Sequence, residues 1–370
     1  MPRELPSGSS SLFYLADYTK PTMTKELEPK RFNPATASDS EFAAINAFHN
    51  ALRIERWPED SPHSVEDTIS RYRHLTLFSD MKFTTLFVWN GSHISADANI
   101  HIPLSDNLHL AFSGVSVLAP YRRQGLATRL LPHLAAEAKV ESRRLLNFGT
   151  NDAVPAGELF AERLEAKRGM AVHTNQLNVA ELDASLFGRW QEAAPKDAFE
   201  LGFWTGPYPE DELEAIAELI GVMNTAPREN LEMEDFHLTP EQLREHERYQ
   251  EAVGTQRWVA YVRERSSGTL AGYTEMSWNP ANPRVLDQGD TGVQPVYRGH
   301  GLGKWLKAAM LARVLSENTD VAYVRTGNAD SNGPMLAINY ALGFKPRMAE
   351  VWWELELEKL ETYLATRRVS

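Results

Sequence analysis

The stretch Val293-Gln294-Pro295-Val296-Tyr297-Arg298-Gly299-His300-Gly301-Leu302-Gly303 places three glycines within five residues. A fainter copy lies upstream, Val117-Leu118-Ala119-Pro120-Tyr121-Arg122-Arg123-Gln124-Gly125-Leu126-Ala127. Valine, tyrosine, arginine, glycine and leucine recur at the same spacing, and the two arginines lie 176 residues apart in a chain of 370. A glycine-rich turn repeated at half-length predicts a duplicated domain.

The composition fits two globular domains. A chain of 370 residues is long for one domain and comfortable for two of about 150 residues each. Hydrophobic residues at 42% and charged residues at 24% are typical of soluble proteins. No run of about 18 apolar residues is present, which argues against a membrane span, and the N-terminus lacks an apolar signal core. We expect residues 1–28 to be a loose extension.

The chain contains no cysteine. Disulfides, thiolate metal sites and a cysteine nucleophile are therefore excluded, and a cytoplasmic location is expected. His237, His246 and His300 show no metal-ligand spacing, so we expect no metal. The net charge of −12 disfavours nucleic acid as a partner.

Both halves read as the same unit: two helices, antiparallel strands, the glycine turn, a helix, a strand, a helix and a strand. In the first half, Asp39 to Arg53 and Ser64 to Leu75 are predicted helices, and Leu108 to Val117 is the strand before the turn. In the second half, Thr239-Pro240-Glu241-Gln242 predicts a capped helix start. We place the first domain at 29–185 and the second at 186–370.

The turn itself suits an anion. It leaves a predicted strand and opens a predicted helix, where the first N–H groups lack partners and the helix dipole is positive. Glycine lets a phosphate approach the backbone. The pattern is neither a Walker turn nor a Rossmann fingerprint. A pyrophosphate fits here, although a turn that is glycine-rich for geometry alone is the alternative.

Asparagines follow the second turn. Within Thr326 to Phe344, Asn332, Met335 and Asn339 share one face of a predicted helix. Amides facing a sheet need partners, because unpaired buried amides are costly. Helix capping by Asn328 and Asn332 is the alternative, but it leaves Asn339 unexplained.

These motifs resemble the GNAT superfamily of acyl-CoA-dependent N-acyltransferases. Two copies in one chain are similar to its tandem-domain members, of which mycothiol synthase is the best-known type. The resemblance implies an α/β (α+β) fold with two tandem units, each a mixed, mostly antiparallel sheet flanked by helices. It implies acetyl-CoA as cofactor, with the pyrophosphate on the turn amides. The implied coenzyme residues are Val293, Arg298, Gly299, His300, Gly301, Leu302, Gly303, Asn328 and Asn332, and in the first half Val117, Arg122, Arg123, Gln124, Gly125, Leu126 and Ala127.

The resemblance also implies direct attack of an amine on the thioester in a ternary complex. Val293 would supply the oxyanion N–H, and Asp287, six residues earlier, would be the base. Residues 287 and 293 have equal parity, so we expect both side chains on one face, with Asp290 as the alternative base on the other. The position of the leaving-group acid carries Asn339, with Tyr340 beside it. Either Tyr340 or water would protonate the thiolate.

The first half departs from this pattern. Ala111 stands where an acid is expected, and few of the asparagines recur. We expect a degenerate first domain that supports a catalytic second one, and coenzyme binding by the first stays open. Acceptor candidates all belong to the second half; they are Asn230, Glu232, Glu234, Asp235, Phe236, Trp204, Trp278 and Trp352.

The leading functional hypothesis is an N-acetyltransferase acting on a small primary amine, as a monomer or homodimer. The alternative is a non-catalytic acyl-CoA-binding or sensing protein. Peptide-bond formation from aminoacyl-tRNA on a related doubled fold is disfavoured by the acidic charge.

Overall fold

The computed structural model describes residues 27–368. Within that range the chain forms one continuous twelve-stranded sheet with ten α-helices packed against it. The predicted mixed, mostly antiparallel architecture is confirmed. Of the predicted loose extension, residues 1–26 lie outside the described residues, and Leu27 is buried in the core.

The strands are numbered along the chain. They are β1 (Pro29–Arg31), β2 (Met81–Asn90), β3 (His93–Pro103), β4 (Leu110–Val117), β5 (Leu145–Asn151), β6 (Lys167–Asn178), β7 (Phe199–Thr205), β8 (Gln256–Glu264), β9 (Leu270–Trp278), β10 (Val285–Val293), β11 (Tyr323–Ala329) and β12 (Lys345–Glu356).

The helices follow the same scheme. They are α1 (Asp39–Arg56), α2 (Val65–Arg73), α3 (Leu126–Val140), α4 (Ala156–Arg163), α5 (Ala184–Glu192), α6 (Leu213–Ile220), α7 (Pro240–Ala252), α8 (Leu302–Glu317), α9 (Gly333–Ala341) and α10 (Leu357–Arg368). None of the helices within 27–368 is long and apolar enough to cross a lipid bilayer.

Local sequence explains several helix starts. Ser38 and Ser64 each accept a hydrogen bond from the backbone N–H of the residue three positions later. The carboxylate of that residue accepts a hydrogen bond from the backbone N–H of the serine. Thr239 and Gln242 form the same reciprocal capping box, with Pro240 as the first helical residue. The predicted capped start of α7 is therefore confirmed.

The two halves exchange their last strands. The sheet order is β1-β2-β3-β4-β5-β12-β6-β11-β10-β9-β8-β7. Strand β12 therefore lies between β5 and β6, and β6 pairs with β11. The helix that follows each exchanged strand also packs on the other half. Helix α10, after β12, packs on α3, and helix α5, after β6, packs on α8.

This exchange joins the halves through their cores. Leu355 and Leu360 of the last strand and helix are buried with the residues of α3. Leu177 of β6 and Phe187 of α5 are buried with the residues of α8. The predicted division at 185/186 falls inside α5, and the domain limits remain a prediction.

Candidate functional site

Each half opens a cleft between two parallel strands. Strands β4 and β5 pair only from Leu110 to Phe112 with Leu145 to Asn147, and then diverge. Strands β10 and β11 pair only from Val285 to Asp287 with Tyr323 to Arg325. The outer edges stay paired with β3, β12, β9 and β6. The diverging inner edges are therefore available to an extended molecule that carries amides.

The glycine turns close one end of each cleft. Two residues of each turn have a left-handed backbone conformation. In the first half they are Arg123 and Gly125, with φ of 63° and 83°. In the second half they are Gly299 and Gly301, with φ of 85° and 78°. Neither α3 nor α8 has a side-chain N-cap. The first N–H groups of both helices are therefore open to an anion.

The turn arginines fold back onto the protein. Arg122 donates from Nε to the Val117 carbonyl at 2.9 Å, and its two terminal nitrogens bind the Glu55 carboxylate at 2.6 and 2.5 Å. Arg298 donates to the Val293 carbonyl at 3.0 Å and to Thr225 Oγ1 at 2.6 Å. These arginines hold the turns in shape.

The other polar turn side chains do the same. Gln124 donates to the Pro120 carbonyl at 3.0 Å, and His300 Nδ1 lies 3.1 Å from the Tyr297 carbonyl oxygen. Leu126 and Leu302 are buried in their cores. Among residues 27–368, the turn groups without a partner are the backbone amides that follow Arg122 and Arg298, together with the Arg123 side chain in the first half.

A cavity of about 550 Å³ occupies the cleft of the first half. The strand residues Ser113 to Val117 and Phe148 to Asn151 line it, together with the turn and α3. Phe160 of α4 and Leu355 of β12 complete the wall. This volume is typical of a small-molecule or cofactor site. The sequence motif was weaker in this half, and only the divergence of the strands reveals the cavity.

A β-bulge changes the orientation of the candidate bases. The pairing of β10 with β9 shifts by one residue between Gln288 and Thr291. Leu286 and Val293 both join the core under α8, although their numbers differ in parity. The expectation that Asp287 and Val293 share a face is therefore wrong, because the bulge adds one residue between them. By the same register, Asp287 and Asp290 both face away from α8.

Asp287 lies beside an ion pair that joins the halves. Arg325 binds Asp60 through both terminal nitrogens, at 2.6 and 2.7 Å, and stacks on Trp57 with its guanidinium carbon 3.9 Å from the ring centre. Asp287 is exposed to solvent on its strand. Partial desolvation by the surrounding protein raises the pKa of its carboxyl group, and Arg325 opposes the rise.

Asp290 belongs to a buried acidic group. The Tyr273 hydroxyl donates a hydrogen bond to Asp290 Oδ2 at 3.4 Å, and Glu275 lies across the bulge. Burial raises the pKa of both carboxyls. The sheet here is covered, since a Cβ placed on Gly292 would meet Val222 Cγ1 at 2.3 Å.

The asparagines of the second half have internal partners. Asn339 is fully buried, and its Nδ2 donates to Asn328 Oδ1 at 2.7 Å, which leaves Asn339 Oδ1 without a partner. Asn332 is the N-cap of α9 and accepts from the Met335 N–H at 3.4 Å. Tyr340 is 48% exposed, so the two neighbours have opposite environments.

The acceptor candidates are dispersed. Glu232 binds Arg144 at 2.6 Å, and the Glu234 N–H donates to Asn107 Oδ1 at 2.8 Å, so this segment docks on the first half. Asp235 binds Arg228 at 2.8 Å. Trp204 stacks on Tyr261 within another core cluster. The structure does not gather these residues into one pocket.

Two units of diverging strands, glycine turn and helix define a tandem-domain GNAT fold, as the motifs predicted. Among solved structures, the chain is similar to a tandem GNAT protein from the clavulanic acid biosynthesis pathway. The two are 25% identical over 90% of this chain and 99% of that one, with a TM-score of 0.72.

More distant structures share the fold alone. A GCN5-related N-acetyltransferase from Sphaerobacter thermophilus is 14% identical, covering 91% of this chain and 97% of that one, with a TM-score of 0.60. A glucosamine N-acetyltransferase region of a fungal GH3 enzyme is 12% identical over 88% of this chain and 38% of that one, with a TM-score of 0.57. No family model and no curated protein matches the chain.

Proposed function

We propose that the protein is an N-acetyltransferase that moves an acetyl group from acetyl-CoA to a primary amine of a small molecule. The observation that carries this proposal is the 550 Å³ cavity between β4 and β5, closed by an uncapped helix N-terminus. Acetyl-CoA would supply the activated acyl group. The protein would hold it, orient the amine and remove a proton.

The residues present fit this coenzyme. The open N–H groups after Gly125 and Gly301 suit a pyrophosphate. The unpaired inner edges of β4 and β10 suit an amide-bearing arm, which would complete the sheet as a short strand. The chain has no cysteine for an acyl-enzyme, so we favour direct attack in a ternary complex.

For the second half we retain the roles drawn from the resemblance. Asp287 would accept the amine proton, the Val293 N–H would stabilise the oxyanion, and Asn339 with Tyr340 would face the departing thiolate. The raised pKa of Asp287 supports a role for its carboxyl group in proton transfer.

A matched pair of variants tests the coenzyme site. Ala127 and Gly303 occupy the second helical position after each turn. Glutamate there suits a helix N-terminus but repels a bound pyrophosphate. We expect Ala127→Glu to weaken acetyl-CoA binding at least about tenfold by titration calorimetry. The same measurement on Gly303→Glu shows whether the second half binds acetyl-CoA. Unchanged affinity in both variants would refute the turn as the binding site.

The base of the second half is tested by Asp287→Asn. For amines acetylated in the second half, loss of the general base should lower kcat by about 10²–10⁴-fold, while coenzyme affinity stays unchanged. Thiol release from acetyl-CoA across an amine library provides the measurement. Full activity of Asp287→Asn would exclude this assignment.

The second candidate is a non-catalytic acyl-CoA-binding protein. It is favoured by Asn339, since a buried amide bonded to Asn328 cannot protonate a thiolate. Tight acetyl-CoA binding without thiol release for any amine would support it.

A further inference from the structure

A second cavity lies on the α1 and α2 side of the first half. Its volume is about 500 Å³, and α1, α2, β2 and β3 line it, with Tyr249 of α7 closing one side. None of the residues predicted for the acceptor contributes to it.

The two cavities are neighbours with a shared wall. Leu52 and Arg56 line both of them. Asp97 lines only the second cavity and accepts a hydrogen bond from the Ser116 N–H at 3.2 Å, while Ser116 lines only the first. A molecule in the second cavity would therefore lie next to the cleft, with Asp97 between the two.

Asp97 is suited to accept a proton. It is 5% exposed, and burial raises its pKa to about 6, which hydrogen bonds from Ser116 and the charge of Arg56 partly oppose. At neutral pH the carboxyl group is mostly ionised. A base with this pKa is close to the optimum for proton transfer near pH 7.

The charge around the second cavity is positive. Arg56 and Arg71 line it, and within residues 27–368 neither forms an ion pair. The charge of Arg71 lowers the pKa of Asp287, although the two side chains form no ion pair. Burial lowers the pKa of His49 to about 4, so this ring is neutral at pH 7. Asp60 on the wall is occupied by Arg325.

The second half differs at the corresponding place. Gly292, the counterpart of Ser116, is covered by Val222, as described above. An acceptor therefore has a preformed space in the first half, next to the cleft.

We propose that the first half is itself a transfer site, whose acceptor is an amine carrying a carboxylate or phosphate, with Arg56 and Arg71 binding the anion and Asp97 accepting the amine proton. The inference rests on the proposed acetyl transfer. The amine nitrogen forms a bond to the thioester carbonyl carbon, the carbon–sulfur bond breaks, and coenzyme A leaves as its thiolate, which then takes a proton from water. The proton lost by the amine passes to Asp97 and then to water.

The first test is selectivity. Thiol release is measured with the full-length protein and paired amines: amino acids against their carboxamides, and amino-sugar phosphates against the free amino sugars. We expect the anionic member of the productive pair to have at least tenfold higher kcat/KM. The pair that is turned over shows whether the acceptor carries a carboxylate or a phosphate. Turnover of neutral amines only would overturn the inference and leave the proposed function intact.

The second test uses variants. Arg71→Gln should raise KM for the anionic amine about 10–100-fold, as expected for a lost charged hydrogen bond, with kcat retained. Arg73→Gln on the same helix lies outside the cavity and should change neither value. Asp97→Asn should lower kcat for the anionic amine at least 100-fold with unchanged acetyl-CoA affinity. Normal kinetics in Arg71→Gln or Asp97→Asn would overturn the inference.

A binding measurement separates the two proposals if no amine turns over. Calorimetry with protein saturated with coenzyme A should detect the anionic amines, and Arg71→Gln should weaken their binding about 10–100-fold. No binding of any anionic amine would overturn the inference. Failure of acetyl-CoA itself to bind would instead refute the proposed function.

Discussion

Arg123 holds a backbone conformation that glycine adopts at the matching place in the other half. Its φ is 63°, against 85° for Gly299. A left-handed conformation costs a residue with a Cβ about 1 kcal/mol or more. A strained residue that lines the cavity points to a use for its charge, and we infer attraction of the coenzyme phosphates.

Arg123→Gly should therefore have opposite effects on stability and binding. We expect the free energy of unfolding to rise by about 1 kcal/mol in denaturant titrations. Acetyl-CoA affinity should fall about tenfold by calorimetry, because one cation near the pyrophosphate is lost.

Glu165 provides the control. It is also left-handed, with φ of 54°, and lies outside the cavity. Glu165→Gly should raise stability similarly and leave coenzyme affinity unchanged. Equal affinity in Arg123→Gly and the parent protein would contradict a phosphate contact.

At the scale of elements, α8 buries a lysine. Lys307 is 1% exposed, and burial lowers its pKa to about 7. Its Nζ lies 6.0 Å from the centre of the Phe344 ring. In the unfolded chain a lysine titrates near 10.4, so between pH 7 and pH 10 the unfolded state binds more protons. Stability from this residue therefore rises with pH across that window.

Lys307→Met should flatten this dependence. The parent protein gains at most about 1.4 kcal/mol per pH unit from one such group, and thermal unfolding at pH 7, 8, 9 and 10 measures it. The variant should be the more stable protein at pH 7. Lys304→Met, at an exposed position of the same helix, should keep the parent slope. A slope retained in Lys307→Met would contradict the lowered pKa.

The bulge in β10 shows what residue counting misses. Alternation along a strand assigns faces correctly only while the pairing is regular. Gly289 marks the irregularity, because a Cβ there would meet Glu275 Oε1 at 2.6 Å. The sequence thus placed the strand and its acids, but not the faces that the acids take.

At the scale of the whole molecule, local signals predicted the repeated unit well. Capping residues and glycine turns are local, and α1, α2 and α7 begin where their sequences indicate. Short or terminal elements were missed, including β1, β7, α5 and α10. Asp97 was missed because it lies on β3, outside the quoted motifs, and gains its environment only from packing. The exchange of β6 and β12 is likewise nonlocal, and alternation cannot name a strand's neighbours.

The exchange predicts that the halves depend on each other. A cut after Lys196, in the loop before β7, gives fragments 1–196 and 197–370. Each lacks a strand and helix that the other supplies, so neither should unfold cooperatively alone. Mixed together, they should co-elute and regain a cooperative thermal transition.

One outcome would contradict this dependence. Strand β6 of the first fragment could take the place of β12 beside β5, and the fragment would then fold as a closed unit. A cooperative transition of fragment 1–196 alone, near that of the intact protein, would show that the exchange is a preference rather than a requirement.

The position of β12 also sets an order of events during synthesis. Strand β5 leaves the ribosome early, but its neighbour is made only after almost the whole second half. At about 5–20 residues per second, the free edge of β5 waits on the order of tens of seconds. An unpaired edge is a template for aggregation. The first cleft is therefore completed only after β12 has been made, and until then the edge of β5 that β12 covers in the finished fold is open to other partners.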